Sequence, residues 1–482
     1  MNQPFNQHFA VNTPWFPFFH IAPPYGLMND PNGFCQYKGQ YWLFFQWNPT
    51  GCAHKNKHWG LLTSNDLVHW QQQKFTFAPE HWYDKDGCYS GTALVRDDEL
   101  SVFYTGNVRH GEKRESYQCL VTTRDGQSFE HHGPLWPEQL EGFTGHVRDP
   151  KVFESNGKRF MWLAAQSDKL LGGVAVLEEQ SSGDWSLCGH FNRSIGWAND
   201  QYGYMWECPD YLEFSEQNVL VCCVQGIETG LSDYHNRHLS GYFNVAFNSQ
   251  NGHIEFQSDY RLLDHGFEFY APQSIKNEQG EIFLIGWMGL PEAEPQPTVE
   301  QYGWTEQLTI PRHCEWRDGY IYQTPSHELD AAFDAASYYQ LTDSQSQFDI
   351  GPQSRTHWKP AESSGQLVLG EGVEQLSIAW NQQGSIIVDR GALAGSGADT
   401  RRHYKSRLGQ IESLTLFLDS SSFELFVNDG EAVLSGRIFP TTPLILGHLS
   451  FEQGAEVSVM EVQVRLLGQR VINLLSKEAF DE

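Results

Sequence analysis

The chain has 482 residues, of which 40% are hydrophobic and 19% charged, and a net charge of −28. This is a globular composition with room for more than one core. So negative a field repels phosphate backbones and anionic lipid, which argues against nucleic acid or a membrane surface as partner. No apolar run approaches the roughly 20 residues that span a bilayer. Aromatic residues make up 14% of the chain, as expected of β-structure and of sites that stack on sugar rings.

In chain order, the first twenty residues hold no Lys or Arg and no continuous apolar stretch, so no secretory signal is expected. The nine cysteines are odd in number and show no CxxC pairs at zinc spacing. Free thiols in a reducing, cytoplasmic compartment are the expectation. The stretch "GLMNDPNGF" (26–34) then gathers Asn29, Asp30, Pro31, Asn32 and Gly33, residues that predict a tight turn.

From there to residue 325, short β-type runs dominate, and five are alike: "GFCQYKGQYWLFFQWNP", "TALVRDDELSVFYTGN", "KVFESNGKRFMWLAAQ", "DYLEFSEQNVLVCCVQG" and "QSIKNEQGEIFLIGWMG". Each reads as strand, polar turn, strongly apolar strand, and their starts are 59, 59, 59 and 63 residues apart. A regular period of hairpins predicts a five-bladed β-propeller over residues 1–325; one large sandwich with similar hairpins by chance is the alternative. The tetrads ahead of the first strands are "NDPN", "CYSG", "VRDP", "WECP" and "FYAP". Three carry an acid, Asp30, Asp149 and Glu207, so residues far apart in sequence are expected to converge on the propeller axis.

After residue 325, Ser326 reads as the N-cap of a short helical linker over 326–340. Strand alternation then resumes over 341–482, with Asn428-Asp429-Gly430 as a hairpin turn, and predicts a β-sandwich. The fold class is therefore all-β, a propeller followed by a sandwich. The sandwich is assigned a structural or oligomeric role, with a homo-oligomer possible.

Acids crowded in an aromatic-lined funnel either bind a cation or cleave a glycosidic bond. No DxDxDG-like run is present to supply clustered calcium ligands. His54 and His58 are four apart but lack the Glu and helical context of a metal site, so no metal is assigned. Trp47, Trp59, Trp206, Tyr270 and Trp287 fall in or beside the same segments and are candidates for stacking on a sugar.

These motifs together resemble the β-fructofuranosidases of glycoside hydrolase family 32, the invertases and sucrose-6-phosphate hydrolases, over nearly the whole chain. "NDPNG" resembles the family's nucleophile motif and implies Asp30 as nucleophile, with Asn29 beside it. "RDPKV" implies Asp149 as the group that holds fructose hydroxyls and stabilises the transition state, with Arg148 adjacent. "ECPD" implies Glu207 as acid/base. "FQWNP" (Gln46), "HWG" (Trp59), "YSGT" (Ser90), "FYTG" (Tyr104), "FYAPQ" (Tyr270), "GWMG" (Trp287) and "GWTEQLTIPR" extend the likeness and imply substrate contacts.

The resemblance implies a retaining double displacement on sucrose or sucrose-6-phosphate that releases fructose and needs no cofactor. A fructan hydrolase or fructosyltransferase would share these acids, and a non-catalytic sugar-binding propeller would be expected to have lost one. The chain departs from the family at Lys55, Asn56 and Lys57, where a solvated loop is expected and a phosphate contact is the functional alternative. "DYHNRHLSGY" (233–242) resembles a segment of bacterial sucrose-6-phosphate hydrolases and makes Arg237 either a phosphate ligand or a loop brace.

Overall fold

The computed structural model describes residues 10–195, 202–229, 234–342, 346–360, 364–395, 397–451 and 460–475. The first nine residues, Asp233 and the chain beyond 475 lie outside them. Five antiparallel sheets follow one another along the chain as propeller blades. Blade 1 is Gly26–Tyr37, Gln40–Asn48, His58–Ser64 and Trp70–Phe77. Blade 2 is Cys88–Arg96, Glu99–His110, Lys113–Thr123 and Glu130–Pro134. Blade 3 comprises Phe143–Ser155, Lys158–Ser167, Gly172–Glu179 and Trp185–Phe191. Blade 4 is built on Met205–Glu213, Asn218–Gln225, His238–Asn248 and His253–Phe256. Blade 5 is Tyr270–Lys276, Ile282–Trp287, Arg312–Arg317 and Tyr320–Pro325. The repeat read from the hairpins is thus the blade repeat, and the first strand of each blade packs against those of its neighbours around the axis.

The expected turn at NDPNG is corrected by the structure. Gly26–Tyr37 is one strand, and the chain does not reverse there. Met28 pairs with Trp47 and Pro31 with Phe45, so Asn29 and Asp30 together oppose Gln46 in a β-bulge. Bulge and turn call for the same residue types, and only the partner strand tells them apart. The acids therefore sit within inner strands rather than ahead of them.

The same irregularity recurs in every blade. Ser90 is extra in blade 2, Asp149-Pro150 oppose Leu163, Cys208-Pro209 oppose Cys222, and Ala271-Pro272 oppose Gly286. The prolines are tolerated because, among the described residues, no strand pairs with the inner edge at their positions; on Gly26–Tyr37 that edge is paired only at Gly26 and Leu27, with Trp304 and Thr305. The three acids take different places in the bulge: Asp30 is its second residue, Asp149 its first, and Glu207 precedes it.

Ser326 does cap a helix, its Oγ accepting the Leu329 N–H at 3.2 Å, but the helix is only His327–Ala332. Ser337–Leu341 already forms an edge strand of the sandwich. Two six-stranded sheets face each other over a core that includes Trp358, Leu376, Ile378, Leu416, Leu425 and Val462. Asn428-Asp429-Gly430 turns the hairpin between Ser422–Val427 and Ala432–Arg437, with Asn428 and Asp429 at φ 48° and 51°. The chain then returns to the propeller, where Ile472–Asn473 adds a parallel strand to the outside of blade 1.

Candidate active site

The bulges aim polar side chains into the funnel, and those side chains form two linked networks. In the first, Asn29 Nδ2 donates to Asp30 Oδ1 at 2.8 Å and to Gln46 Oε1 at 2.6 Å. Gln46 Nε2 donates to Ser90 Oγ at 2.7 Å, and the Ser90 hydroxyl donates to Asp30 Oδ2. The ring of hydrogen bonds fixes both oxygens of Asp30. Ser90 can lie so close because Gly91 follows it: a Cβ there would stand 1.9 Å from the Phe103 carbonyl oxygen. Lys57 Nζ donates to Asn29 Oδ1 and lies 3.4 Å from His54 Nδ1.

The second network holds Glu207. Its Oε1 accepts from Arg148 Nε at 2.9 Å and Nη2 at 2.7 Å. Its Oε2 accepts from Gln225 Nε2 at 2.5 Å and the Tyr270 hydroxyl at 2.9 Å. Arg148 Nη1 also reaches His146 Nδ1 at 3.0 Å.

Asp149 lies between the networks with φ 60°, in the left-handed region, anchored by its N–H to Thr105 Oγ1 at 3.0 Å. Its Oδ2 accepts the Cys208 N–H at 3.0 Å. Cys208 Sγ stands 3.7 Å from Asp149 Oδ2 and 3.8 Å from Asp30 Oδ2. Since Cys208 follows Glu207 directly, one residue ties the three acids to a common floor.

Burial and pairing set different electrostatics on the three. Asp149 is pushed up to about 7 by burial, against the pull of Arg148 and with the push of Glu207 and Asp30. Asp30 is also raised by burial, although Ser90, Lys57 and Asn29 favour its charged form. Burial pushes Glu207 upward too, but Arg148 outweighs it and holds that carboxyl below its ordinary value. The Cys208 thiol is held protonated by burial beside these acids.

Close enough to Lys57 to act on its charge, Glu306 accepts from Trp287 Nε1 at 3.3 Å and Gln296 Nε2 at 3.0 Å. Burial raises Glu306 to about 7 and lowers Lys57 to about 8.

The structure thus brings together Asn29, Asp30, Gln46, Ser90, Arg148, Asp149, Glu207 and Tyr270. Trp287 flanks Tyr270 edge-on, with ring centroids 6.1 Å apart. Trp59 is fully buried between blades 1 and 2, donating Nε1 to the Tyr89 carbonyl at 3.1 Å and packing on Phe44 and Phe77. Trp47 and Trp206 are likewise buried in cores. The solvated-loop expectation holds for Lys55, which is exposed, and fails for Lys57, which is buried in the first network. His54 contacts Trp287 and Lys57 while His58 turns to the Asn56 carbonyl, so the two rings do not share a ligand position.

Arg237 is exposed at the rim, 3.9 Å from Glu292. Gln225, Cys208 and Glu306 were not singled out from the sequence. A signal for Gln225 existed: the second-strand runs "LFFQ", "LAAQ" and "CCVQ" of blades 1, 3 and 4 all end in Gln.

Residues 20–325 match the glycosyl hydrolases family 32 N-terminal domain, and 322–465 match the family's C-terminal domain. The sucrose-6-phosphate hydrolase of Klebsiella pneumoniae is 37% identical over 459 residues, 93% of each chain. The structure of sucrose-6-phosphate hydrolase from Lactobacillus gasseri superposes with a TM-score of 0.85 at 28% identity, covering 96% of this chain and 95% of that one. A Bombyx mori family 32 β-fructofuranosidase mutant in complex with sucrose gives 0.84 at 27% identity, covering 96% of both. Among the described residues no helix is long and apolar enough to cross a membrane. The propeller, the sandwich and both domain matches lead to one conclusion: the chain belongs to glycoside hydrolase family 32, the β-fructofuranosidase family.

Proposed function

We propose that the protein hydrolyses the fructosyl bond of sucrose-6-phosphate, with sucrose as a poorer substrate, by a retaining double displacement. The observation that carries this reading is the pair of differently held acids, Asp30 and Glu207, meeting at Cys208. Asp30, with both oxygens oriented by Asn29 and Ser90, attacks the anomeric carbon. Glu207 protonates the departing glucosyl oxygen and then draws a proton from the water that releases fructose. Glu207 must take up a proton to act as acid, so the Arg148 contact has to loosen as the sugar binds. Asp149, whose carboxyl burial raises to about 7, can both donate to and accept from fructose hydroxyls.

The name carried by the Klebsiella and Lactobacillus relatives supports the phosphorylated sugar. All nine cysteines are free thiols, which fits a cytoplasmic enzyme acting on an imported sugar. The test measures kcat/KM for sucrose, sucrose-6-phosphate and a short fructan on one preparation, alongside Asp30→Asn. Sucrose-6-phosphate is expected to be preferred, and Asp30→Asn to lose about 10⁴-fold or more in kcat with the fold intact. Retained turnover in Asp30→Asn would overturn the nucleophile assignment, and a preference for the fructan would overturn the substrate.

A further inference from the structure

One corner of the rim is cationic although the chain as a whole is strongly acidic. In the hairpin of blade 2, Arg109 lies directly opposite Arg114 in the register of Glu99–His110 and Lys113–Thr123. Like charges directly opposite on neighbouring strands destabilise a sheet, so this pairing needs a reason outside the hairpin. Both arginines stand at the end of blade 2 that faces the acids, because Cys88–Arg96 starts there beside Ser90 and its partner strand ends there.

Arg114 is half-buried. Its guanidinium lies 5.5 Å from the Tyr89 ring, and its Nη1 is 3.5 Å from His146 Nδ1. Arg148 Nη1 reaches the same Nδ1 at 3.0 Å. A guanidinium only donates, so His146 Nδ1 must present its lone pair and the ring proton must reside on Nε2. Burial, with Arg148 and Arg114 close by, pushes His146 down to about 4 and keeps it neutral. Among the described residues neither the Arg109 nor the Arg114 guanidinium makes an ion pair with a carboxylate; the Arg109 backbone N–H donates to Asp86 Oδ2 at 2.7 Å, and Arg114 is linked to Glu207 by way of His146 and Arg148. Arg237, another exposed cation, already faces Glu292, and a phosphate placed there would meet that carboxylate.

We propose that Arg114, backed by Arg109 and the Nε2–H of His146, receives the phosphate of the leaving sugar and makes this corner the determinant of sucrose-6-phosphate over sucrose. The assignment rests on the preceding reading, in which Glu207 protonates the leaving-group oxygen and so places the glucosyl unit on the Arg148–His146 side. A half-buried guanidinium offers phosphate a forked pair of charge-assisted hydrogen bonds.

The test measures kcat/KM for both sugars on wild type, Arg114→Gln, Arg114→Lys and Arg237→Gln, with the ratio between the two sugars as readout. Arg114→Gln is expected to lower the ratio of sucrose-6-phosphate to sucrose by about 10- to 100-fold, mainly through KM. Arg114→Lys is expected to recover part of it, since the charge returns without the fork. Inorganic phosphate should compete with sucrose-6-phosphate in wild type and less well in Arg114→Gln. An unchanged ratio in Arg114→Gln overturns the assignment. So does a collapse of the ratio in Arg237→Gln alone, or a wild type that treats the two sugars alike. Failure of wild type to cleave either sugar would instead overturn the fructofuranosidase reading beneath it.

Discussion

Glu207 and Glu424 each receive the Nε and Nη2 of an arginine on a single carboxylate oxygen. Arg148 supplies them to Glu207 at 2.9 and 2.7 Å, and Arg312 supplies them to Glu424 at 2.9 and 2.6 Å. In both cases the arginine holds the carboxyl below its ordinary value against burial. What differs is everything around the pair. The other oxygen of Glu424 takes His20 Nε2 at 3.0 Å and the Ile310 N–H at 2.8 Å, and Arg312 is shared with Asp264 at 3.0 Å.

Every group of that second cluster is fully buried. It joins the amino-terminal segment, blades 4 and 5 and the sandwich into one body. Glu207 is 17% exposed, and its remaining partners are Gln225 and a tyrosine hydroxyl. The same clamp is a structural lock where it is sealed and a switchable site where one side opens to the funnel.

The largest expected effect breaks the open member of the pair. Glu207→Gln removes the titratable proton but keeps the contacts with Tyr270. It is expected to cut turnover of a sugar leaving group by about 10²–10⁴-fold, and much less for an activated fructoside whose leaving group needs no proton. Steady-state kinetics on both substrates checks this, and equal losses on the two would deny Glu207 the role of acid.

Next comes the sealed member. Arg312→Met leaves Glu424 and Asp264 buried without their cation and is expected to cost about 3–5 kcal/mol of stability in urea unfolding. Arg148→Met should cost clearly less, because Glu207 can be rehydrated. Equal losses at the two arginines would erase the distinction between lock and site.

The smallest effect concerns a buried glutamate with no arginine at ion-pair distance among the described residues. Glu306 has an ordinary value of 4.5 and is raised to about 7 by burial. The folded state therefore binds its proton more tightly than the unfolded chain. Its contribution to stability is complete below pH 4.5 and is lost as pH rises through about 7. Glu306→Gln, neutral at every pH, should gain in melting temperature relative to wild type across that window. A flat difference between pH 4.5 and 7.5 would count against it.

Much of this was legible in the residues themselves. Strand-forming runs punctuated by KGQ, SNGK or NEQG are local signals, and their period near 60 residues is a property of the chain, so the five blades could be counted. Asp30, Asp149 and Glu207 stood within a residue or two of the same point of that period. The NDG hairpin and the Ser326 cap are likewise encoded within a few residues. Tertiary structure alone decided that NDPNG is a bulge, because bulge and turn share their residue types and only the opposing Gln46 distinguishes them.

It also decided the fate of Lys57. A lysine between Asn and His reads as solvated, and it is buried because Asn29 accepts its hydrogen bond while the charges of Asp30 and Glu306 favour its charged form. The return of Ile472–Asn473 to blade 1 and the like-charged pairing of Arg109 with Arg114 are of the same kind. Propensity and period act over neighbouring residues and are written along the chain. Charge pairing, burial and bulge register depend on which distant groups share a volume from which water is excluded, and that is set only when the blades close.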